Sequence, residues 1–440
     1  MTKLSEAVPF LDRELETRAP ERLRALQWER FKAVAGEVFP ANPFVRRKWN
    51  AAGLRSVDEL RSWKDFYALP LTTKAEFAVD QEENPPFGSN LTYPVERYVR
   101  VHQTSGTTGK PVRWLDTEAS WDWLAHCWRF VLRGAGVGAG DRVFFPFSFS
   151  YFIGFWQAFE GAQQEGAMVI SAGGLDSVTR LHVMESLGAT VLICTPSYAI
   201  HLAEVARERG IDPASLPIRT AIHAGEPGAN IPATRRRLEE SWGARCYDHT
   251  GMCEVGPYGF ECVVQAGPHL IEPEFIFEVL DPATGEPAQD GELVLTNLGR
   301  QGSPVFRYRT GDRVHLTEEP CECGRSFRRL EGGILGRVDD MLIVRGVNVF
   351  PAALEGIVRQ FAAVDEFQIE VFKEKDMDEI RLLLEIDANR HGPSVVTETV
   401  RGVVEGVRSE VGIRVYAEAV ASGRLPRFEL KARRVVRREA

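Results

Sequence analysis

The chain has 440 residues with a formal net charge of −9 at pH 7, and 44% of the residues are hydrophobic and 26% charged. This length exceeds one ordinary core, so we expect at least two domains, and the acidic balance argues against a nucleic-acid partner. The N-terminus has no apolar signal-peptide core, and no apolar run reaches about 18 residues, so we expect no membrane span. The seven cysteines are an odd number, which favours a cytoplasmic protein without a disulfide framework.

The predicted elements of the first half change from helical to alternating. Apolar positions at helical spacing over 12–36 indicate an amphipathic helix, 58–66 indicates a short helix, and 68–72 is expected to be extended. From about 115 to 250 short apolar runs alternate with helix-like segments: runs at 142–147, 167–171 and 190–194, and segments at 177–187 and 198–209. This alternation predicts a layered α/β domain with a largely parallel sheet.

The pattern of predicted elements changes in the second half of the chain. Strands are predicted at 275–280 and 291–296 around a turn that contains Pro282 and Gly285, which indicates a β-rich subdomain. The final hundred residues predict a compact α+β module, with helices at 352–361 and 394–411 and strands at 366–372, 380–386 and 414–419.

The most informative motif is a short loop rich in hydroxyls and glycine. It consists of Thr104, Ser105, Gly106, Thr107, Thr108, Gly109 and Lys110. Glycines let backbone N–H groups approach a phosphate, the hydroxyls donate hydrogen bonds, and the lysine adds a positive charge. It is not a Walker A loop, because only two residues separate its glycines and Pro111 follows the lysine. The loop predicts triphosphate binding; taken alone, a solvated turn is the alternative.

Further motifs follow this loop along the chain: His-Ala-Gly-Glu-Pro at 223–227, Asp-His-Thr-Gly-Met-Cys-Glu at 248–254, Tyr-Arg-Thr-Gly-Asp at 308–312, Gly-Arg-Val-Asp-Asp at 336–340, Arg-Gly-Val-Asn-Val-Phe-Pro at 345–351, and a lysine at 431. In this order they resemble the adenylate-forming enzymes, which include acyl-CoA synthetases, luciferases and the adenylation domains of peptide synthetases. The short length, Gly-Glu-Pro at 225–227 and Asn-Val-Phe-Pro at 348–351 look most like the phenylacetate-CoA ligase branch.

The resemblance implies an α/β fold with two domains of unequal size. A large multi-subdomain N-terminal adenylation domain is expected over 1–337, with layered α/β sheets and a β-rich subdomain that hold ATP and the acyl group. A small, mobile α+β C-terminal domain is expected over 338–440. Asp339 occupies the position of the family hinge, where a few residues absorb a large change in backbone angles.

The resemblance also implies how ATP is bound. Beyond the loop at 104–110, it implies contacts with the nucleotide from Gly225, Glu226, Pro227, Asp248, His249, Thr250, Cys253, Asp312 and Arg337. Asp312 is expected to accept hydrogen bonds from the ribose hydroxyls. Glu254 takes the place of the magnesium ligand, a role that suits a carboxylate oxygen. Lys431 resembles the catalytic lysine that bridges the attacking carboxylate and the α-phosphate.

Two positions depart from the family pattern. Thr250 stands where the family usually has an aromatic residue beside the adenine, and Cys253 stands where it usually has Thr or Ser. A thiol is a weaker hydrogen-bond donor than a hydroxyl, so we expect weaker contacts with ATP at these positions.

Four residues have the composition of a structural zinc site. Cys262 and His269 form one pair, and Cys321 and Cys323 form a Cys-x-Cys-Gly turn about fifty residues later. Zinc favours four tetrahedral thiolate or imidazole ligands, often from two local pairs. The alternative is a set of buried free cysteines and a core histidine.

An aromatic run at 144–156 is the expected substrate pocket. The resemblance places this segment beside the acyl group, with Phe147, Tyr151 and Phe152 as lining candidates, Gly154 leaving room, and Gly225 and Glu226 closing the floor. Aromatic rings there would pack against an aryl acid. The sequence thus predicts ATP- and Mg²⁺-dependent activation of an aryl or arylacetic acid, followed by transfer to coenzyme A.

Two other functions stay open at this point. One is an adenylating enzyme that transfers the acyl group to a carrier protein or to an amine, since the adenylation half-reaction is shared. The other is a non-catalytic, zinc-stabilised nucleotide-binding scaffold. A homodimer is also compatible with the sequence.

Overall fold

The computed structural model describes residues 8–104, 111–338, 342–344, 347–374, 377–428 and 434–438. The first part contains the helices α1 (Arg13–Glu16), α2 (Pro20–Ala41), α3 (Pro43–Ala51), α4 (Trp63–Tyr67) and α5 (Lys74–Glu83), 3₁₀ turns at Val57–Glu59 and Val95–Arg97, and the antiparallel hairpin of β1 (Tyr98–Gln103) and β2 (Arg113–Thr117).

Two predicted helices of this part are each divided in the structure. The predicted helix 12–36 is interrupted before Pro20, which begins α2 at a position where its missing N–H costs nothing. The predicted helix 58–66 becomes a 3₁₀ turn and α4, because Ser62 and Asp65 form a capping box that starts a new helix. The extended entry predicted over 68–72 is confirmed only at its end: Ala68 still has helical backbone angles as the C-cap of α4, whereas Thr72 pairs with Tyr308.

The central region alternates strands and helices, as predicted. Its strands are β3 (Arg142–Phe145), β4 (Met168–Ser171), β5 (Val191–Cys194), β6 (Thr220–His223) and β7 (Arg245–Met252). Its helices are α6 (Glu118–Gly134), α7 (Trp156–Gln164), α8 (Ser177–Ser186), α9 (Pro196–Glu208) and α10 (Pro232–Trp242), with a 3₁₀ turn at Pro213–Ser215. Each strand pairs in parallel with its neighbour in the order β4-β3-β5-β6-β7.

The β-rich part continues the same sheet. Its strands are β8 (Gly256–Phe260), β9 (His269–Leu270), β10 (Phe275–Leu280), β11 (Asp290–Asn297), β12 (Tyr308–Thr317) and β13 (Arg329–Arg337). Strand β7 pairs in parallel with β6 and antiparallel with β8, so it joins the two halves. The full order among the described strands is β10-β11-β12-β13-β9-β8-β7-β6-β5-β3-β4. The predicted motifs at 223–227, 248–254 and 308–312 therefore lie on or beside one continuous mixed sheet, which also carries Arg337. The phosphate loop connects β1 and β2, which form a separate pair.

The C-terminal part has its own sheet and core. It contains the hairpin β14 (Leu342–Val344) and β15 (Val347–Val349), then α11 (Pro351–Val358), β16 (Glu366–Glu374), β17 (Met377–Glu385), α12 (Ala388–His391), α13 (Pro393–Glu410), β18 (Tyr416–Val420) and β19 (Val435–Arg437). The sheet order is β18-β17-β16-β19. One buried cluster, drawn from residues 342–415, fills this part. None of the described helices is long and apolar enough to cross a membrane.

Candidate functional site

The predicted phosphate loop connects β1 to β2. Thr104 is buried at its start; its N–H donates to the carbonyl of Val112 at 2.9 Å, and its hydroxyl oxygen accepts from the Val112 N–H at 3.0 Å. These two bonds close the base of the loop. The other predicted residues, Ser105 to Lys110, lie outside the described residues.

The Gly-Glu-Pro turn follows β6 at the carboxyl edge of the parallel strands. Gly225 has a φ of +95°, a backbone conformation that favours glycine. The Glu226 carboxylate accepts from the backbone N–H of Ser197 at 2.8 Å, in the first turn of α9. An anionic side chain is stabilised at this end of a helix, so Glu226 connects the turn to α9.

A second set of contacts connects this turn to β13. Asn230 accepts from the Gly228 N–H at 2.8 Å, and its side-chain amide donates to the carbonyls of Gly332 at 3.0 Å and Ile334 at 3.3 Å. The turn after β6 is therefore held against the strand that carries Arg337.

The side chain of Asp248 lies in the interior, where an ionised carboxylate is costly. Burial and the neighbouring Glu261 raise its pKa and Arg235 lowers it, which together place the pKa at about 8. Arg235 binds both oxygens of Glu261 at 2.7 Å, and Glu261 accepts from the Asp248 N–H at 2.7 Å. Asp248 is therefore mainly protonated at neutral pH, and its carboxyl can donate a hydrogen bond.

The next two residues of the motif are also buried. The His249 ring lies 4.1 Å from Trp128 between centroids, its Nδ1 is 2.7 Å from the Gly259 carbonyl, and burial lowers its pKa to about 4. The Thr250 hydroxyl has no hydrogen-bond partner among the described residues. Both side chains belong to the interior of the sheet, and their contacts with a nucleotide stay predictions.

The carboxylate of Glu254 is buried but carries an ion pair. Its Oε1 lies 2.9 Å from Nζ of Lys74, in the first turn of α5. Lys74 was not predicted from the sequence as a residue of the site. The only local indication was the capping box of Thr73 and Glu76, which begins α5 at this residue. The lysine and the carboxylate place opposite charges at one end of the site.

A second residue that the sequence argument missed is Arg300. Its guanidinium binds Asp116 through two bonds of 2.7 Å and donates to the carbonyls of Cys253 at 2.7 Å and Glu254 at 3.1 Å. Neither Arg300 nor Asp116 has an exposed side chain. Arg300 therefore orients the turn that presents Glu254. Burial raises the pKa of the Cys253 thiol, so the thiol is neutral.

Asp312 and Arg337 lie opposite each other on β12 and β13. Nη1 of Arg337 is 3.4 Å from the Asp312 carboxylate and 3.0 Å from the Thr310 carbonyl. The predicted ribose acceptor and the predicted nucleotide arginine are thus neighbours.

Two buried tyrosines show that the acidic residues converge. Burial raises the pKa of Tyr258, and the neighbouring Asp312 carboxylate raises it further. Burial also raises the pKa of Tyr308, where Glu254 and Asp312 add to the effect. Residues from two separate motifs, 248–254 and 308–312, therefore surround one region of the sheet.

The aromatic run contains both core and exposed rings. Phe147 is buried among Phe149 and Phe155, whereas the side chains of Tyr151 and Phe152 are 47% and 39% exposed. An added Cβ at Gly154 would lie 2.0 Å from the Phe147 ring, so that ring fills the space we expected Gly154 to leave for a substrate. The Tyr151 carbonyl accepts from the Gln103 N–H at 3.2 Å, which holds the run beside the phosphate loop.

The four predicted zinc ligands are brought together. The ligand atoms of Cys262, His269, Cys321 and Cys323 all lie within 4.8 Å of one another, and all four residues are buried. Nδ1 of His269 is 3.0 Å from the Phe327 carbonyl, which leaves Nε2 directed at the sulfurs, 3.4 Å from Cys323. This arrangement orients a metal-binding imidazole.

Backbone donors add to this cluster. The N–H of Val264 donates to the Cys262 sulfur at 3.4 Å, and the N–H of Arg325 donates to the Cys323 sulfur at 3.5 Å. The donor set fits a closed tetrahedral metal site. Two other predicted residues, the hinge Asp339 and the catalytic Lys431, lie outside the described residues.

Comparison with known proteins identifies relatives over nearly the whole chain. A family model, the AMP-binding enzyme C-terminal domain, matches residues 346–438. Phenylacetate-coenzyme A ligase from Thermus thermophilus is 34% identical over 445 residues, which cover 96% of this chain and 98% of that protein.

Solved structures of a second enzyme also match. 2-Hydroxyisobutyryl-CoA ligase in the postadenylation state, bound to R3-HIB-AMP, superposes with a TM-score of 0.91 at 30% identity, over 100% of this chain and 94% of that chain. The same ligase in the thioesterification state, bound to 2-HIB-AMP and CoA, gives a TM-score of 0.71 at 32% identity, over 96% and 91% of the two chains.

Proposed function

The chain belongs to the phenylacetate-CoA ligase family of adenylate-forming enzymes, and on this premise we propose that it activates an aromatic carboxylic acid. It is an AMP-forming acid–CoA ligase, which uses ATP to form an acyl-AMP and then a CoA thioester. The observation that carries the aromatic substrate is the similarity to phenylacetate-CoA ligase over 96% of the chain. The exposed rings of Tyr151 and Phe152 beside the phosphate loop support it.

The chemistry consists of two substitutions. A carboxylate oxygen of the acid attacks the α-phosphorus of ATP, and pyrophosphate leaves. The sulfur of coenzyme A then attacks the acyl carbon, loses its proton, and AMP leaves. In the first step both reactants are anionic, so positioning and charge neutralisation dominate catalysis.

We assign the charge neutralisation to residues at the phosphate end of the site. The loop at 104–110 would bind the β- and γ-phosphates, and Lys431 would contact the attacking carboxylate and the α-phosphate. Glu254 would hold Mg²⁺, which supplies positive charge to the phosphates when bound. Lys74, at 2.9 Å from Glu254, keeps that carboxylate oriented by an ion pair.

The nucleoside would be bound by the opposite end of the site. Asp312 would accept from the ribose hydroxyls, with Arg337 beside it. The Gly-Glu-Pro turn at 225–227 and the 248–254 strand end would form the adjoining wall. Protonated Asp248 would act as a hydrogen-bond donor there.

A domain boundary after Arg337, with a hinge at Asp339, fits the separate core of residues 342–415. A cytoplasmic location fits the seven cysteines, all of which are free and buried. A carrier-protein or amine acceptor and a homodimer stay predictions. The non-catalytic scaffold is disfavoured because Glu254, Asp312, Arg337 and Lys431 are all present.

We also propose that Cys262, His269, Cys321 and Cys323 hold one structural zinc ion. Four protein ligands would leave no open position, so the metal would stabilise the fold rather than take part in the reaction. Its binding free energy would contribute to folding.

A second class of substrate has a specific observation in its favour. Solved structures that match over 100% of this chain are of 2-hydroxyisobutyryl-CoA ligase, whose name refers to a small branched hydroxy acid. Because the ring of Phe147 fills the space at Gly154, a smaller acid is the alternative to an aryl acid.

The test is ATP–pyrophosphate exchange with aryl, arylacetic, 2-hydroxy and alkyl acids, followed by detection of the CoA thioester. We expect the highest specificity constant with an aryl acid. Lys431→Ala should abolish exchange but leave thioester formation from synthetic acyl-AMP largely intact, and Lys373→Ala, at an exposed position, should change neither. No exchange with any acid, or equal loss of both half-reactions in Lys431→Ala, would contradict the proposal.

A further inference from the structure

The C-terminal part contacts the rest of the chain through Arg434, three residues after Lys431. This side chain is only 8% exposed. Its Nε and Nη2 bind the two carboxylate oxygens of Glu366 at 2.8 and 3.1 Å, and its Nη1 binds Glu355 at 3.2 Å. These three bonds are internal to the C-terminal part and fix the plane of the guanidinium.

A fourth bond leaves the C-terminal part. Nη2 of Arg434 donates to the hydroxyl of Ser197, at the start of α9, at 2.8 Å. The backbone N–H of the same serine donates to Glu226 at 2.8 Å. Glu226 belongs to the Gly-Glu-Pro turn that we assign to nucleotide binding. A short chain of hydrogen bonds therefore connects Arg434 to the Gly-Glu-Pro turn.

A second contact lies beside the first. Nη1 of Arg237, on α10, donates to the Val364 carbonyl at 3.1 Å, while Nη2 binds Glu204 of α9 at 3.1 Å. Helices α9 and α10 thus form part of the face on which the C-terminal part rests. Ser197, in the first turn of α9, contacts both Arg434 and Glu226.

Arg434 follows the predicted catalytic Lys431 by only three residues of sequence, and three residues of chain span at most about 10 Å. A bond that anchors Arg434 is therefore a candidate for positioning the lysine. The overall arrangement agrees with this. The structure superposes on the relative in its postadenylation state with a TM-score of 0.91, and on the thioesterification state with 0.71.

We infer that Arg434 is a positioning residue for adenylation, and that its bond to Ser197 holds the C-terminal part where Lys431 reaches the reacting phosphate. This inference rests on the proposed function. The bond is broken when the C-terminal part moves for thioester formation, so it stabilises only the first of the two arrangements. Lysine could not replace Arg434, because one ammonium cannot bind Glu366 through two parallel bonds and still donate to Ser197 in the same geometry.

The decisive variant is Ser197→Ala. It removes the acceptor of the Arg434 bond but keeps every ion pair of Arg434 and the backbone N–H that binds Glu226. A hydrogen bond to a charged donor is worth roughly a tenfold change or more in an equilibrium. We therefore expect adenylation in single turnover to slow roughly tenfold, and thioester formation from synthetic acyl-AMP to be unchanged or faster.

Three further variants separate positioning from general damage. Ser197→Thr retains a hydroxyl and should restore adenylation. Ser177→Ala removes the hydroxyl 3.1 Å from Tyr198, which is not part of this contact, and should not separate the two half-reactions. Arg434→Lys should slow adenylation less in the Ser197→Ala background than in the wild type, because the two changes remove the same bond.

Each outcome has a distinct meaning. Selective loss of adenylation in Ser197→Ala, rescued by Ser197→Thr, would support the inference. If Ser197→Ala slowed both half-reactions equally, or changed neither, the inference would be overturned. In that case the activity of the wild type would still uphold the proposed function. A wild type that forms no acyl-AMP would overturn the proposed function, and the inference with it.

Discussion

Arg300 and Asp116 form a bidentate ion pair in which neither side chain has any exposed surface. Asp116 lies on β2, directly after the predicted phosphate loop, and Arg300 also binds the carbonyls of Cys253 and Glu254. The pair therefore connects the strand that follows the phosphate loop to the turn that presents the predicted magnesium ligand. A fixed distance between these two elements is what binding of a metal–triphosphate complex requires.

Breaking this ion pair should destabilise the protein strongly. Asp116→Asn leaves the Arg300 guanidinium buried without a counter-charge, so we expect the free energy of unfolding to fall by about 3–5 kcal/mol. Asp290→Asn breaks an exposed pair with Arg313 and should cost less than about 1 kcal/mol. Urea unfolding measures both. Similar small losses in the two variants would show that the buried pair is not stabilising.

The buried carboxyl of Asp248 should give stability a defined pH dependence. Its pKa is about 8 in the folded chain against an ordinary value of 3.8. Between these values the folded state holds a proton that the unfolded state has released, so this group's contribution to stability is complete below pH 3.8 and is lost as pH rises toward 8. Asp248→Asn removes the loss, and the variant should gain stability relative to wild type from pH 5 to pH 8, by up to about 1.4 kcal/mol per pH unit.

A control for this pH effect is Asp281→Asn. Backbone hydrogen bonds from Thr284 and Ala283 lower the pKa of Asp281, so its carboxylate is ionised throughout this range. The stability difference between Asp281→Asn and wild type should not change from pH 5 to pH 8. If Asp248→Asn also shows a constant difference, the Asp248 carboxyl is ionised in the folded protein.

Purified protein should contain about one zinc ion per chain. Cys321→Ser should lower the metal content and the melting temperature more than it changes the KM for ATP, because a closed site contributes to folding and not to the reaction. Cys194→Ser changes a buried cysteine outside the cluster and should keep the metal. A metal-free wild type that is as stable as the zinc-containing protein would refute the zinc proposal.

Tyr151 should determine part of the preference for aryl acids. An aromatic contact contributes about 0.5–1.5 kcal/mol beyond area burial, so Tyr151→Ala should reduce the ratio of specificity constants for an aryl and an alkyl acid roughly two- to tenfold. Phe147→Ala is the contrasting variant, because it truncates a ring of the core and should mainly lower stability. An unchanged substrate ratio in Tyr151→Ala would place the exposed ring outside the pocket.

Local patterns in the sequence were sufficient for many of the elements and for the order of the motifs. Alternating apolar runs predicted β3, β4 and β5, because periodicity and turn residues act over a few neighbours. In the C-terminal part α11, β16, β17, α13 and β18 were predicted, whereas the short strands β14, β15 and β19 were not. Two local Cys/His pairs were enough to predict that these four side chains come together, while the zinc ion itself stays a prediction. The family resemblance supplied the roles, since short motifs such as Gly-Glu-Pro are distinctive in order even where each is common alone.

The tertiary structure alone decided which distant side chains meet. Arg300 and Asp116 are 184 residues apart, and Arg434 and Ser197 are 237 residues apart. An isolated Arg, Asp or Ser carries no sequence pattern. Only the tertiary fold, which packs distant segments together, brings such residues within hydrogen-bond distance. The same holds for Phe147: its ring could be recognised as aromatic, but the packing of the interior determined that it covers Gly154 and leaves Tyr151 exposed.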